Sequence, residues 1–175
     1  MLFRSLWKFI KHETLQLYKQ GITDLLEQGW DIKAIVCDGK RGLFNAFTSI
    51  PVQMCQFHQT AIVTRYITKR PKLQAGKELK QVVSLLTRSD KESFIGALNQ
   101  WHLKWGAFLS EKTIDTETNK WHYTHKRMRS AYRSLKTNLP YLFTWYNYID
   151  LNIPNTTNSI EGTFSNLKKI GRAHV

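Results

Sequence analysis

An α/β fold is what this sequence predicts, and three observations carry the prediction. A short β-branched apolar run over residues 32–39 ends in Asp38-Gly39, the pattern of a buried strand with a carboxylate at its carboxyl tip. A helical pattern precedes it and residues 6–10 ahead of that read as a strand end, so the chain begins strand, helix, strand, a βαβ unit. From Thr60 onward the period is helical and basic, which needs several helices. Composition agrees that the chain folds: 175 residues, 42% hydrophobic and 13% aromatic, are enough for one domain with a sizeable core.

Taken in order, His12-Glu13-Thr14 opens the first helix, its apolar positions are Leu15, Leu17, Tyr18, Ile22, Leu25 and Leu26, and Gly29 stops it. The strand over 32–39 follows. Residues 40–47 suggest a short helix, and residues 52–58, after Pro51, suggest a further strand. The helices between Thr60 and Trp105 carry Arg65, Lys69, Arg70, Lys72, Lys77, Lys80, Arg88 and Lys91. Residues 111–122 are polar, with a turn-like Glu117-Thr118-Asn119-Lys120, and predict a loop. A helix over 126–137 brings Lys126, Arg127, Arg129, Arg133 and Lys136. The aromatic cluster after Pro140, namely Tyr141, Phe143, Trp145, Tyr146 and Tyr148, is expected in the core. Capping residues Asn155-Thr156-Thr157-Asn158-Ser159 then run into an apolar pattern at Ile160, Phe164 and Leu167, which places Glu161 in the first turns of a helix. With no internal repeat and no low-complexity linker, one domain interrupted by a helical insertion is the simplest organisation.

Charge narrows the partners. Against 13 Asp and Glu stand 26 Lys and Arg, a formal charge of +13, so a polyanion is expected and nucleic acid heads the list. No apolar run approaches the roughly 20 residues of a spanning helix, which disfavours a membrane. Two cysteines, Cys37 and Cys55, fit a reducing, intracellular compartment better than a disulfide-stapled secreted domain. The chain starts without a leader, and Met1 could be an internal methionine. The last six residues, Ile170-Gly171-Arg172-Ala173-His174-Val175, are what the common sequencing-adapter string ATCGGAAGAGCACACGTC encodes. They are read as a read-through scar and set aside from the fold.

The chemistry-bearing positions are Asp38 at a strand tip, Cys55-Gln56-Phe57-His58 shortly after it, and Glu161 near a helix start. Plain alternatives exist for each: a turn aspartate beside Gly39, a helix-capping glutamate, a core cysteine with a surface histidine. Cys55 and His58 also have the spacing of half a zinc site, whose other half is missing. Among the basic residues, Arg65, Lys69, Arg70, Lys126, Arg127, Arg129 and Arg133 are the candidates for DNA contacts, a solvated helical face being the bland reading. Tyr66, Trp101, Trp105, Trp121, Tyr123 and Tyr132 sit among these cations and could stack on splayed bases, although most are expected in the core.

With Ile35-Val36-Cys37-Asp38-Gly39, Cys55-Gln56-Phe57-His58, Tyr132-Arg133-Ser134-Leu135 and Asn155-Thr156-Thr157-Asn158-Ser159-Ile160-Glu161-Gly162 in this order, the chain resembles the Mutator-like bacterial insertion-sequence transposases of the DDE type. The resemblance covers nearly everything before the last six residues and implies a chain truncated at both ends. It implies a partial RNase H-like fold, with residues 1–59 as core, 60–139 as a helical insertion and 140–169 as the return carrying the glutamate helix. It further implies two aspartates and a glutamate holding two Mg2+ or Mn2+ ions, with Asp38 as the second aspartate and Glu161 as the glutamate. Cys55 and His58 then lie near the active site in an organising role.

The implied activity is DNA transposition: hydrolysis at the ends of a mobile element, then attack of the freed 3′-hydroxyl on target DNA, in the bacterial cytoplasm, with a homo-oligomer on the DNA as the family expectation. The chemistry is consistent, since two hard cations about 3.5 to 4 Å apart activate the attacking oxygen and stabilise the leaving one, and carboxylates are the ligands such cations take. The family's first aspartate lies on an earlier strand that nothing before Leu6 supplies, so the chain as written is expected to be inactive even where the parent is an enzyme. Two alternatives stay open: a non-catalytic nucleic-acid-binding remnant, and an RNase H-like metal nuclease, which would keep the carboxylates but not the insertion. On the transposase reading, the Asp38 and Glu161 carboxylates are expected within about 8 Å of each other.

Overall fold

The computed structural model describes residues 11–40 and 42–157, and in them the fold is mixed α/β and mostly helical. The predicted strand over 6–10 and the predicted glutamate helix with Glu161 lie outside the described residues.

Thr14 caps the first helix, α1 (Leu15–Glu27), by accepting the Leu17 amide on its hydroxyl at 3.3 Å. Gly29, at φ +82°, ends it in the left-handed conformation expected of a stop. Strand β1 (Ile35–Cys37) is shorter than the predicted run but ends where expected, one residue before Asp38. The short helix α2 (Leu43–Ala46) leads to β2 (Val52–Met54), which pairs with β1 in parallel: Ile35 with Val52, Val36 with Gln53, Cys37 with Met54.

Beyond Met54 the expectation of a strand running to His58 is corrected. Cys55 turns the chain, its carbonyl accepts the Gln59 amide at 3.1 Å, and helix α3 (Gln56–Ile67) begins. The buried side chains Gln56, Gln59 and Val63 recur at helical spacing, three and four apart, and their burial overrides the apolar run that suggested a strand.

Helices α4 (Gln74–Ser84) and α5 (Lys91–Ser110) follow. Asp90 caps α5 by accepting the Ser93 amide at 2.8 Å. The predicted loop over 111–122 is corrected to an antiparallel hairpin, β3 (Lys112–Ile114) and β4 (Trp121–Tyr123). Its turn is held by the Asp115 carboxylate, which accepts the Glu117 and Thr118 amides at 3.0 Å each, and by Asn119 at φ +52°.

Helix α6 (Lys126–Leu142) runs beyond the predicted end at Thr137 and through Pro140. Proline removes one amide donor from the helix, but the carbonyl that loses it belongs to the exposed Lys136, where water can serve, while buried Leu135 and Leu142 hold the helix against the core. The short α7 (Thr144–Asn147) and a 3-10 turn (Ile149–Leu151) lead to the last described residues.

The main core joins β2 to α3, α4, α5, α6 and α7 through Met54, Val63, Leu79, Leu86, Phe94, Leu98, Leu135, Leu142 and Phe143. A smaller cluster of Cys37, Leu43 and Val52, covered by Leu15, Tyr18 and Phe47, lies under the strands and α1. Phe44 touches both and stacks on Tyr141 at 4.1 Å. Of the aromatic cluster after Pro140, Phe143 is buried and Tyr141 and Trp145 are half-buried, whereas Tyr146 and Tyr148 are exposed, against the expectation of a shared core position. Of the aromatics among the cations, Trp101 is buried, Trp105, Tyr123 and Tyr132 are half-buried, and Tyr66 and Trp121 are exposed.

Three buried glutamines fasten the strands to α6. The carbonyl of Leu142, at the end of α6 and without a helical partner, accepts from Gln53 Nε2 at 3.0 Å and Gln56 Nε2 at 2.9 Å. Gln53 Oε1 accepts the Trp145 amide at 3.0 Å. Gln59 donates to Ser134 Oγ at 3.1 Å and accepts from Asn138 Nδ2 at 2.7 Å. Among the described residues, no helix is long and apolar enough to cross a membrane.

Candidate active site

Asp38 stands one residue beyond β1, exposed at the carboxyl edge of the parallel pair. Its direction is set by Gly39, at φ +91°, where a Cβ would lie 2.6 Å from Met54 Cε, so no larger residue fits without displacement. Asp38 Oδ1 accepts the Lys40 amide at 3.1 Å, the side-chain turn that aspartate before glycine favours.

Beside it is a polar group that the sequence reading did not single out. Lys40 Nζ donates to the Glu13 carbonyl at 2.7 Å, pairs with the Glu13 carboxylate at 3.1 Å, and lies 5.2 Å from the Tyr18 ring centroid. The Tyr18 hydroxyl donates to the same carboxylate. That hydrogen bond, and then the one from Lys40, hold Glu13 below its usual acidity range. Burial, reinforced by the Glu13 charge, pushes Tyr18 well above its ordinary value. The available signal was weak: a charge directly after Asp-Gly and another just ahead of the α1 cap.

Cys55 is fully buried where β2 gives way to α3, and its amide donates to the Cys37 carbonyl at 2.7 Å, extending the ladder one residue past the strand. Its sulfur accepts from the Thr157 amide at 3.3 Å and from Thr157 Oγ1 at 3.4 Å. The Gln56 amide donates to the Asn155 carbonyl at 2.9 Å. Residues 155–157 are thereby stitched onto the same carboxyl edge that Asp38 occupies. His58, half-buried, sits in the first turn of α3 with the Phe57 ring edge-on at 5.9 Å. Cys37 and Cys55 are not disulfide-bonded, and burial raises the Cys37 thiol above its ordinary value.

Among the described residues, no three or more His, Cys, Asp or Glu side chains gather into a group that could hold a metal ion. Asp38 is the one predicted ligand in that set. Its carboxylate is the hard oxygen donor that magnesium or manganese takes, with Oδ2 clear of the turn bond to Lys40. Glu161, and with it the expected convergence of the two carboxylates, lies outside the described residues.

The predicted DNA-contacting cations fall into two places. Arg127 Nη2 donates to the Arg65 carbonyl at 2.7 Å, which joins the end of α3 to the start of α6, with Lys126 beside it in sequence. Lys69 and Arg70 are exposed in the connection after α3, and Lys80 Nζ donates to the Lys69 carbonyl at 2.7 Å. Arg129 and Arg133 belong instead to the side of α6 that faces α5, with the Arg129 guanidinium 3.9 Å from the Tyr123 ring centroid. Comparison with protein-family models, with curated proteins and with solved structures returns no match for this chain.

Proposed function

We propose that this chain carries part of the catalytic domain of a DDE-type DNA transposase, RNase H-like in fold, with Asp38 and Glu161 as two of its metal-ligating carboxylates. The observation that carries the reading is the docking of residues 155–157 onto Cys55, beside the strand tip that bears Asp38. Glu161 is four residues beyond Thr157, and four residues span at most about 14 Å even when fully extended. A chain length of that order is compatible with the glutamate returning to the aspartate's edge, as the proposal requires. An open carboxyl edge of parallel strands is also where α/β folds commonly place ligands.

In this proposal Asp38 and Glu161 hold Mg2+ or Mn2+, which when bound supplies charge stabilisation and an activated oxygen nucleophile. Gly39 and the Lys40 amide aim the aspartate, Cys55 anchors the returning segment, and the cations where the end of α3 meets the start of α6, around Arg65 and Arg127, contact duplex DNA. Assembly of several copies on paired DNA ends, in the bacterial cytoplasm, belongs to the same proposal.

A non-catalytic nucleic-acid-binding role is the second reading, and the turn bond from Lys40 favours it, because that bond gives Asp38 a purely structural task. One substitution separates the two. Asn keeps the side-chain turn and loses the charge, so Asp38→Asn preserves the fold under either reading. In a polypeptide that also supplies the first aspartate, Asp38→Asn or Glu161→Gln abolishes Mn2+-dependent nicking and leaves DNA binding within about twofold, the salt-dependent phosphate contacts being untouched. Near-wild-type nicking by either variant removes that residue from the site.

A further inference from the structure

Between α5 and α6 lies a cleft of about 540 Å3, within the size range of small-ligand sites, that plays no part in the strand-edge chemistry. Arg129 and Arg133 line it from α6, one turn apart, together with Tyr132. His102, Gly106 and Ser110 line it from α5. None of its lining residues is a carboxylate, so two guanidinium groups set its charge. The His102 and Tyr132 rings stack at 4.4 Å and 15°, and His102 Nδ1 is buried without a hydrogen-bond partner among the described residues.

The cleft continues onto the hairpin as an alternation of cations and aromatic rings. Arg129 lies over Tyr123 at 3.9 Å, and Lys112 Nζ lies 6.0 Å from the Tyr123 centroid and 4.0 Å from that of Trp121, an exposed residue. The path from Trp121 to His102 thus alternates aromatic rings with positive charge. Such a path suits a backbone whose phosphates are neutralised while its bases stack on protein rings. Duplex DNA keeps its bases stacked on each other and cannot place one in a concave site without extruding it.

We propose that the α5–α6 cleft and the β3–β4 hairpin form a binding site for single-stranded DNA, with a phosphate between Arg129 and Arg133 and an unpaired base in the cleft against His102 and Tyr132. This rests on the nucleic-acid part of the reading above and is independent of Asp38 and Glu161. It gives one group of the predicted cations a different substrate form from the group around Arg65 and Arg127.

Two variants probe it. Arg129→Gln/Arg133→Gln removes the charge. Gly106→Leu fills the cleft from a helical position whose Cβ would lie 3.4 Å from His102 Cε1, in ordinary contact, and replaces glycine in a helix with a better helix former. Labelled oligo(dT) and a duplex of equal length are titrated by fluorescence anisotropy, with circular dichroism confirming the fold of each variant. Both variants are expected to weaken oligo(dT) binding by about tenfold or more, as loss of a stacking and phosphate site does, and duplex binding by less than threefold. Equal losses for the two DNA forms, or unchanged oligo(dT) affinity in both variants, overturn the proposal while leaving the nucleic-acid reading in place. Failure of the unmodified chain to bind either DNA form overturns both.

Discussion

Gly39 and Glu78 show how much single positions are asked to do. At Gly39 an L-residue meets a left-handed backbone, which costs about 1 to 2 kcal/mol, and a Cβ 2.6 Å from Met54 Cε adds a clash with the core. Gly39→Ala is therefore expected to destabilise the fold by at least that amount in urea unfolding, and a change within error would show that the tip of β1 adapts freely. Glu78 receives hydrogen bonds from Lys104 Nζ at 2.8 Å, Trp105 Nε1 at 2.8 Å and Gln74 Nε2 at 3.0 Å. Led by Lys104, these hold its pKa down to about 2. A depressed carboxylate contributes stability above its unfolded value, near 4.5, and loses that contribution as pH falls towards the folded one. Melting temperatures of Glu78→Gln and the unmodified chain should accordingly differ above pH 5 and converge towards pH 2, and a constant difference across that range would refute the linkage. Asp38 was legible as a strand-tip carboxylate because a β-branched run stops at Asp-Gly, although the same pair equally marks the turn that its bond to the Lys40 amide makes. Glu13, Tyr18 and Lys40 were not, since contacts between residues 13 and 40 depend on how α1 packs and leave no local pattern.

At the scale of elements, the joint between α3 and α6 depends on buried amides as well as apolar packing. Gln59 is fully buried and satisfies both Ser134 and Asn138. Gln59→Leu leaves the Asn138 amide group without its acceptor inside the joint and is expected to cost about 1 to 3 kcal/mol, measured by urea unfolding. A neutral or stabilising effect would mean that water reaches Asn138. Helix α1 was legible from its cap and period, and the helical character of residues 60–105 from period alone, without the bounds of α4 and α5. The hairpin was not, because β3 is exposed along its whole length and β4 is exposed at Trp121 and only half-buried at His122 and Tyr123. Burial alternation, which sequence reading relies on, is absent there. The strands are held instead by Lys112 over the aromatic rings of β4 and by the Thr113 and Thr124 hydroxyls, 2.7 Å apart. The first turn of α3 was misread as strand for the opposite reason: Cys55 and Phe57 continue an apolar run whose helical logic lies in the glutamines between and after them.

For the whole molecule, the charge of +13 predicts that duplex binding falls steeply with salt. If six or more phosphates are neutralised, affinity should drop about a thousandfold or more between 50 and 200 mM salt, read by anisotropy, and a flat response would remove the electrostatic reading. Strands near 35–37 and 52–54 and an α/β order were legible at this scale, but the parallel pairing of those two strands with each other was not, and the extent of helix around them follows from a core that the sequence pattern does not locate. The link between Thr157 and Cys55 has a kinetic consequence. It joins positions 102 residues apart at the half-buried Thr157, whereas the comparably distant joint between α3 and α6 is sealed by the buried Gln59, Val63 and Leu135. A contact of that separation waits for the rest of the chain to condense, and being only half-buried it is among the first to open. Hydrogen exchange should find the Thr157 amide released by a partial opening while the amides around Leu135 remain protected, and equal protection at both would show that they open together. A chain built this way can lose the order of its strand edge without melting its helices, so heat or denaturant would disorder that edge before the loss of ellipticity reports unfolding.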